Sequence, residues 1–134
     1  MKALLDTNIC VYAIKKKPPE VIQKLLSFGP GDLAISSLTY AELVFGASKS
    51  QHKVQAMWAL ECFMASLIVV AFDVDAAVEY GRIRSHLEGR GTQIGTVDTF
   101  IAAQALQLGV PVVTNNEREF VRVPGLIVEN WVEV

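Results

Sequence analysis

At 134 residues, 51% of them apolar, the chain is long enough for one hydrophobic core, and one domain over residues 1–134 is expected. The net charge of −2 excludes a generally basic nucleic-acid binder. Cys10 and Cys62, with no CxxC pair, exclude a disulfide framework and are expected as buried free thiols of a cytoplasmic protein.

Mean hydropathy is +0.35, high for so short a chain, so some apolar surface is expected to lie under a partner. The longest apolar run, near Met64–Phe72, holds Ser66 and is about half a membrane span, and Asp6 interrupts the N-terminal apolar stretch too early for a signal peptide. No membrane contact is expected. All seven Lys lie in residues 1–53 and all five Arg in 82–122. The cluster Lys15-Lys16-Lys17 reads as a solvated loop after a helix.

Apolar and turn residues alternate along the chain. Ala3–Leu5 reads as a strand and Asn8–Lys15 as a short helix, ended before Pro18-Pro19. Glu20–Phe28 is a second helix, stopped by Gly29-Pro30-Gly31. Leu33–Ser36 is a strand, Thr39–Ala47 a helix and His52–Ala65 another. Leu67–Phe72 is β-rich, and Asp75–Glu88 is an amphipathic helix stopped by Gly89. Thr96–Leu108 is a helix with Gly109 as its C-terminal signal. Val110–Thr114 and Leu126–Glu129 are the last strands. Strands separated by helices imply a mostly parallel sheet covered on both faces.

In such a fold the carboxyl ends of the strands share one edge, and ligands bind there. Leu4-Leu5 runs into Asp6, Ile35 into a Ser-Ser-x-Thr turn followed by Glu42, and Val113 into Thr114-Asn115-Asn116; Asp98 opens the helix that carries Phe100–Leu108. Each acid also has a structural explanation. Asp6 can cap the helix that follows it, Thr39-x-x-Glu42 matches a capping box, and Asp98 in a first turn complements the helix dipole. The chain has only five Asp, however, and two of them meet a Glu at one edge. Three neighbouring carboxylates repel unless a cation lies between them. Oxygen donors suit Mg²⁺ or Mn²⁺ rather than zinc, and His52 and His86 have no second ligand one turn away. The chemistry implied is metal-assisted phosphodiester hydrolysis.

Two other motifs are weaker. Asp73-Val74-Asp75 after a strand imitates a phosphatase nucleophile, but Ala77 stands where that motif carries Thr or Val, and a helix N-terminus explains both acids. Gly89-x-Gly91-x-x-x-Gly95 follows a helix, not a strand, and is better read as a glycine turn than as a dinucleotide loop.

Four segments carry a resemblance: Leu4-Leu5-Asp6-Thr7-Asn8; Ile35-Ser36-Ser37-Leu38-Thr39-x-Ala41-Glu42-Leu43-x-x-Gly46; Ile94-Gly95-x-x-Asp98-Thr99-x-Ile101-Ala102-Ala103; and Val113-Thr114-Asn115-Asn116-x-Arg118-Glu119-Phe120, continued by Val123-Pro124-Gly125-Leu126 and Glu129-Asn130-Trp131. In order and spacing the chain resembles PIN-domain ribonucleases, and among them the VapC toxins of type II toxin–antitoxin pairs. The resemblance implies a three-layer α/β/α fold around a mostly parallel five-stranded sheet and an Mg²⁺- or Mn²⁺-dependent endoribonuclease. It also implies a homodimer and an antitoxin of the VapB type bound at or near the active site. Asp6, Glu42 and Asp98 match the family's three core acids. Asn116 stands where many relatives carry a fourth acid, as a further oxygen donor, and Glu119 one turn on can supply the missing carboxylate. Thr7, Asn8, Ser37, Thr96, Thr114 and Asn115 are expected to orient the ligands. The Thr-Asn-Asn turn is associated with cutting tRNA in the anticodon stem-loop. The rivals are a related nuclease acting on rRNA or single-stranded DNA, and a non-catalytic PIN-like binding module.

Overall fold

The computed structural model describes residues 1–133, so Val134, the end of the expected domain, lies outside the described residues. The elements run β1 (Ala3–Leu5), α1 (Thr7–Lys15), α2 (Pro19–Leu26), β2 (Leu33–Ser36), α3 (Ser37–Ser48), α4 (Lys53–Met64), β3 (Ile68–Val70), α5 (Val74–Gly89), α6 (Thr96–Leu108), β4 (Val112–Val113), α7 (Glu117–Phe120) and β5 (Val128–Glu129). The five strands form one sheet in the order β3-β2-β1-β4-β5, and every neighbouring pair is parallel.

Side chains alternate across the sheet, and this divides the core in two. Ala3, Leu5, Leu33, Ile35 and Val113 face α1, α2, α3 and α4, where Ile9, Ala13, Val21, Leu43 and Leu60 meet them. Leu4, Ala34 and Val112 face α5 and α6, where Ile83, Leu87, Ile101 and Ala105 pack, together with Phe120 of α7. Both faces of the central strands are buried, which is why these segments read as unbroken apolar runs. The strand order reverses between β1 and β4, so a crevice opens beyond their carboxyl ends.

Three expectations need correction. The turn of helix α7 was not expected: at four residues it is too short to show a period. Strands β3, β4 and β5 are shorter than the apolar runs that contain them, because a residue counts as strand only where a neighbour pairs with it. Cys10 is buried, but Cys62 is exposed near the end of α4. The smaller motifs resolve as helix ends: Asp73 caps α5 by accepting from Ala76 N at 2.9 Å, and Gly91 sits at φ 66° in the turn after it. Lys15, Lys16 and Lys17 are exposed, with Lys16 at φ 59° closing α1.

Candidate active site

Asp6 is the first residue past β1 and is 3% exposed. Its backbone is anchored to the neighbouring strand by Asp6 N–H donating to Val113 O at 3.0 Å. One carboxylate oxygen accepts from Ile9 N at 3.0 Å, so Asp6 does cap α1. The other accepts from Thr114 Oγ1 at 2.5 Å, across the crevice from β4. Thr114 is itself fully buried and tied to β5 by its N–H on Glu129 O. Burial pushes the Asp6 carboxyl above its ordinary value, against the hydrogen bonds from Thr114, Ile9 and Asn8.

Glu42 does not close a capping box with Thr39. The cap of α3 is Ser36, whose Oγ accepts from Leu38 N at 3.1 Å, and the helix begins two residues before the expected Thr39. Glu42 therefore lies in the second turn and reaches toward α1, where its Oε1 accepts from Thr7 Oγ1 at 2.7 Å. Thr39 is buried beneath them and accepts a longer contact from the same Thr7 hydroxyl, 3.4 Å.

Asp98 stands in the first turn of α6, as expected. Its Oδ2 accepts from Asn116 Nδ2 at 3.0 Å, and the same amide nitrogen donates to Glu119 Oε2 at 3.0 Å. Asn116 thus presents its nitrogen, not its carbonyl oxygen, to the acids. Burial and the adjacent Glu119 push the Asp98 carboxyl up to about 7. Glu119 is held below its ordinary value, chiefly by its hydrogen bond with Asp98. Two neighbouring carboxyl groups disfavour being ionised together.

Asp6, Thr7, Asn8, Glu42, Val97 and Asp98 line one cleft of about 200 Å³. The geometry therefore joins Asp6, Glu42 and Asp98 in one cleft, with Asn116 and Glu119 beside Asp98. It does not join all the expected orienting residues. Ser37 Oγ accepts from Phe72 N at 3.1 Å and secures the end of β3 instead. Thr96 is exposed and lines a separate cleft between α5 and α6. Asn115 is one step back, contacting Tyr12 OH at 3.5 Å and accepting from Asn130 Nδ2 at 3.3 Å. Thr39, Thr99, Tyr12 and Asn130 belong to this framework and were not expected. Thr99, with its Oγ1 on Gly95 O at 2.8 Å, lies one residue from Asp98 within the segment that carries the resemblance.

Among the described residues, none of these acids is in a salt bridge, and no three Asp, Glu, His or Cys side chains already converge as a finished ligand set. The donors are all oxygens, as a hard divalent cation requires, and Asp98 retains a proton where such a cation would bring charge. The chemistry of these residues fits Mg²⁺ or Mn²⁺.

The PIN-domain family model matches residues 3–126. The chain is 41% identical over 131 residues to the tRNA(fMet)-specific endonuclease VapC of Salmonella typhimurium, covering 98% of each. The chain belongs to the PIN-domain family, in its VapC branch. Ribonuclease VapC2 of Rickettsia felis is 43% identical over 129 residues, 96% of each chain. The toxin chain in the DNA-bound VapBC structure from Salmonella typhimurium superposes with a TM-score of 0.92 at 40% identity, covering 98% of this chain and 99% of that one. That of VapBC2 from Rickettsia felis, bound to a promoter DNA fragment, gives 0.89 at 41%, covering 98% and 100%. This PIN domain has the sheet and helices that the resemblance implied. No helix among the described residues is long and apolar enough to cross a membrane.

Proposed function

We propose that this PIN domain is a metal-dependent endoribonuclease, the toxin of a type II toxin–antitoxin pair, acting in the cytoplasm on tRNA. The observation that carries the reading is the cleft lined by Asp6, Glu42 and Asp98, three acids in no salt bridge among the described residues, at the strand-order reversal. A bound Mg²⁺ or Mn²⁺ would offset phosphate charge and acidify the attacking water. Asp6, Glu42 and Asp98 are the residues that would hold it, with Glu119 as a further carboxylate donor beside Asp98. Thr114 and Ile9 N–H fix the two oxygens of Asp6, and Thr7 keeps Glu42 at the cleft. Asn116, with its nitrogen on Asp98 and Glu119, holds those acids together. It becomes a ligand only if its amide turns over. The tRNA assignment rests on the similarity to the tRNA(fMet)-specific endonuclease VapC of Salmonella typhimurium, 41% identical. An unpaired loop suits so small a cleft better than the deep groove of A-form duplex.

The partner is an antitoxin of the VapB type, as in the solved VapBC complexes. A groove of about 380 Å³ between α1, α3 and α4 is lined by Val11, Ile14, Leu43, Ala56 and Leu60, and its rim includes Thr7 and Glu42. An antitoxin segment there would lay apolar residues in the groove and reach the acids with Arg, whose fork suits paired carboxylates. Exposed Val74 and Val78, one turn apart on α5, offer a separate apolar face for a second copy in a homodimer.

The test is incubation of the purified, partner-free chain with total RNA, with and without Mg²⁺ or Mn²⁺, and mapping of the cut ends. Cleavage confined to tRNA and dependent on metal supports the proposal. Cleavage of rRNA only would move the target, and no cleavage with either metal would favour a binding module.

A further inference from the structure

We propose that Arg122 is a positioning residue for Asp98, acting through the backbone of the loop Gln93–Gly95. This rests on the reading of Asp98 as a site acid. Helix α6 begins at Thr96, and its cap, Gly95, has no side chain with which to satisfy the helix end. The first turn, which carries Asp98, is thus set by where the preceding loop lies. That loop leaves α5 through Gly91 at φ 66° and is tied back to the helix at Thr92, whose N–H donates to Leu87 O at 2.9 Å. Beyond Thr92 the chain crosses toward α7.

There α7 and the turn after it hold the loop. Phe120 at the end of α7 and Val123 in that turn are buried in the α5–α6 core and fix the segment in place. Glu119 lies in α7 and Arg122 in the turn that follows it, where the Arg122 N–H donates to Glu119 O at 3.1 Å. Arg122 Nη1 donates to Gln93 O at 2.9 Å, 29 residues away in sequence. Glu119 meets Asp98 through the Asn116 amide, and a Cβ built on Gly95 would lie 4.0 Å from Glu119 Oε2 and 3.7 Å from Asp98 Oδ2. The loop is therefore held at Gln93 and lies against the acids at Gly95. The planar guanidinium holds the Gln93 carbonyl in a fixed direction, which a flexible ammonium does less well. An error of about 1 Å in a site acid is enough to lower turnover by roughly a hundredfold, so fixing this loop has a direct chemical consequence.

The competing role for an exposed arginine at this edge is a phosphate contact, which would act on RNA affinity instead. Arg122→Ala and Arg122→Lys in the full chain separate the two. Amide hydrogen exchange at Thr99 and Phe100, whose N–H groups make the first bonds of α6, should quicken about fivefold in Arg122→Ala, against unchanged exchange in β1. Mn²⁺ titrated without RNA should bind several-fold more weakly. On a tRNA substrate kcat should fall about tenfold with KM within twofold, and Arg122→Lys should recover part of each effect. Unchanged Thr99 and Phe100 exchange overturns the proposal, whatever the activity does. A raised KM with a shallower salt dependence and unchanged Mn²⁺ binding also overturns it, in favour of a phosphate contact. Faster exchange in a chain whose wild type cuts no RNA would keep the positioning role and overturn the nuclease reading alone.

Discussion

Asp6 does two tasks with one carboxylate: one oxygen caps α1, and the other holds Thr114. An amide in its place keeps a cap acceptor and removes a buried charge. Because burial raises the Asp6 carboxyl in the fold, the ionised form is the strained one. Asp6→Asn is therefore expected to melt at or above the wild-type temperature at pH 7 without metal, while RNA cleavage falls at least about a hundredfold. Asp6→Ala should lose both, with about 1 kcal/mol of capping gone. Thermal melts beside cleavage at saturating Mg²⁺ check this; wild-type cleavage by Asp6→Asn would leave Asp6 a cap only.

Asp98 gives a pH signature of the same kind. In the metal-free chain its carboxyl titrates near 7, whereas the unfolded value is the ordinary 3.8. Between those values the folded state binds more protons than the unfolded one, so stability declines as pH rises from about 4 to about 7 and then levels. Asp98→Asn should flatten that slope. A cation must displace the same proton, so Mn²⁺ affinity should climb with pH over the same window and plateau above about 7. A pH-independent Mn²⁺ affinity in wild type from pH 5 to 8 would contradict it.

At the scale of elements, α7 with its N-cap Asn116 is the part that sequence patterns conveyed least, and it governs one side of the site. Strands β1 and β2 and helix α6 were legible because buried apolar runs end in turn residues that also cap helices. The Asp6 and Asp98 helix-end roles were legible for the same reason. The partner of Glu42 was not: a capping box with Thr39 is a local pattern, but the hydroxyl that Glu42 accepts belongs to Thr7, 35 residues away. Likewise nothing local says that the Asn116 amide nitrogen faces two carboxylates. That orientation changes what Asn116→Asp should do. It replaces the shared donor with a third acceptor among acids, so the metal-free variant should melt lower, by roughly 4 °C for each kcal/mol lost. The added charge should also tighten Mn²⁺ binding, and metal should restore the melting temperature. Melts with and without Mn²⁺ distinguish this from a simple packing defect, which metal would not repair.

For the whole molecule, the sheet and its two helical layers create an acidic edge and an apolar groove that meet at Thr7 and Glu42. An inhibitor filling the groove would therefore be delivered to the acids. Gly46 allows the two functions to be separated. It lies in the last turn of α3 and lines the groove, and a Cβ built on it meets no atom within 4 Å beyond its own stretch of helix. A side chain there projects into open groove, not into the core. Glycine inside a helix costs about 1 kcal/mol relative to a good helix former, so Gly46→Leu should be at least as stable as wild type. RNA cleavage measured without antitoxin shows whether the leucine, one turn beyond Glu42, also disturbs that acid. Its added volume should occupy the space of the antitoxin segment and weaken the complex at least tenfold, mostly through faster dissociation. Calorimetry or surface plasmon resonance with the cognate antitoxin, beside a cleavage assay of the same preparation, gives both readouts. Wild-type antitoxin affinity in Gly46→Leu would mean that the partner inhibits without entering this groove, and would move its docking surface to the exposed apolar residues elsewhere on α3 and α4.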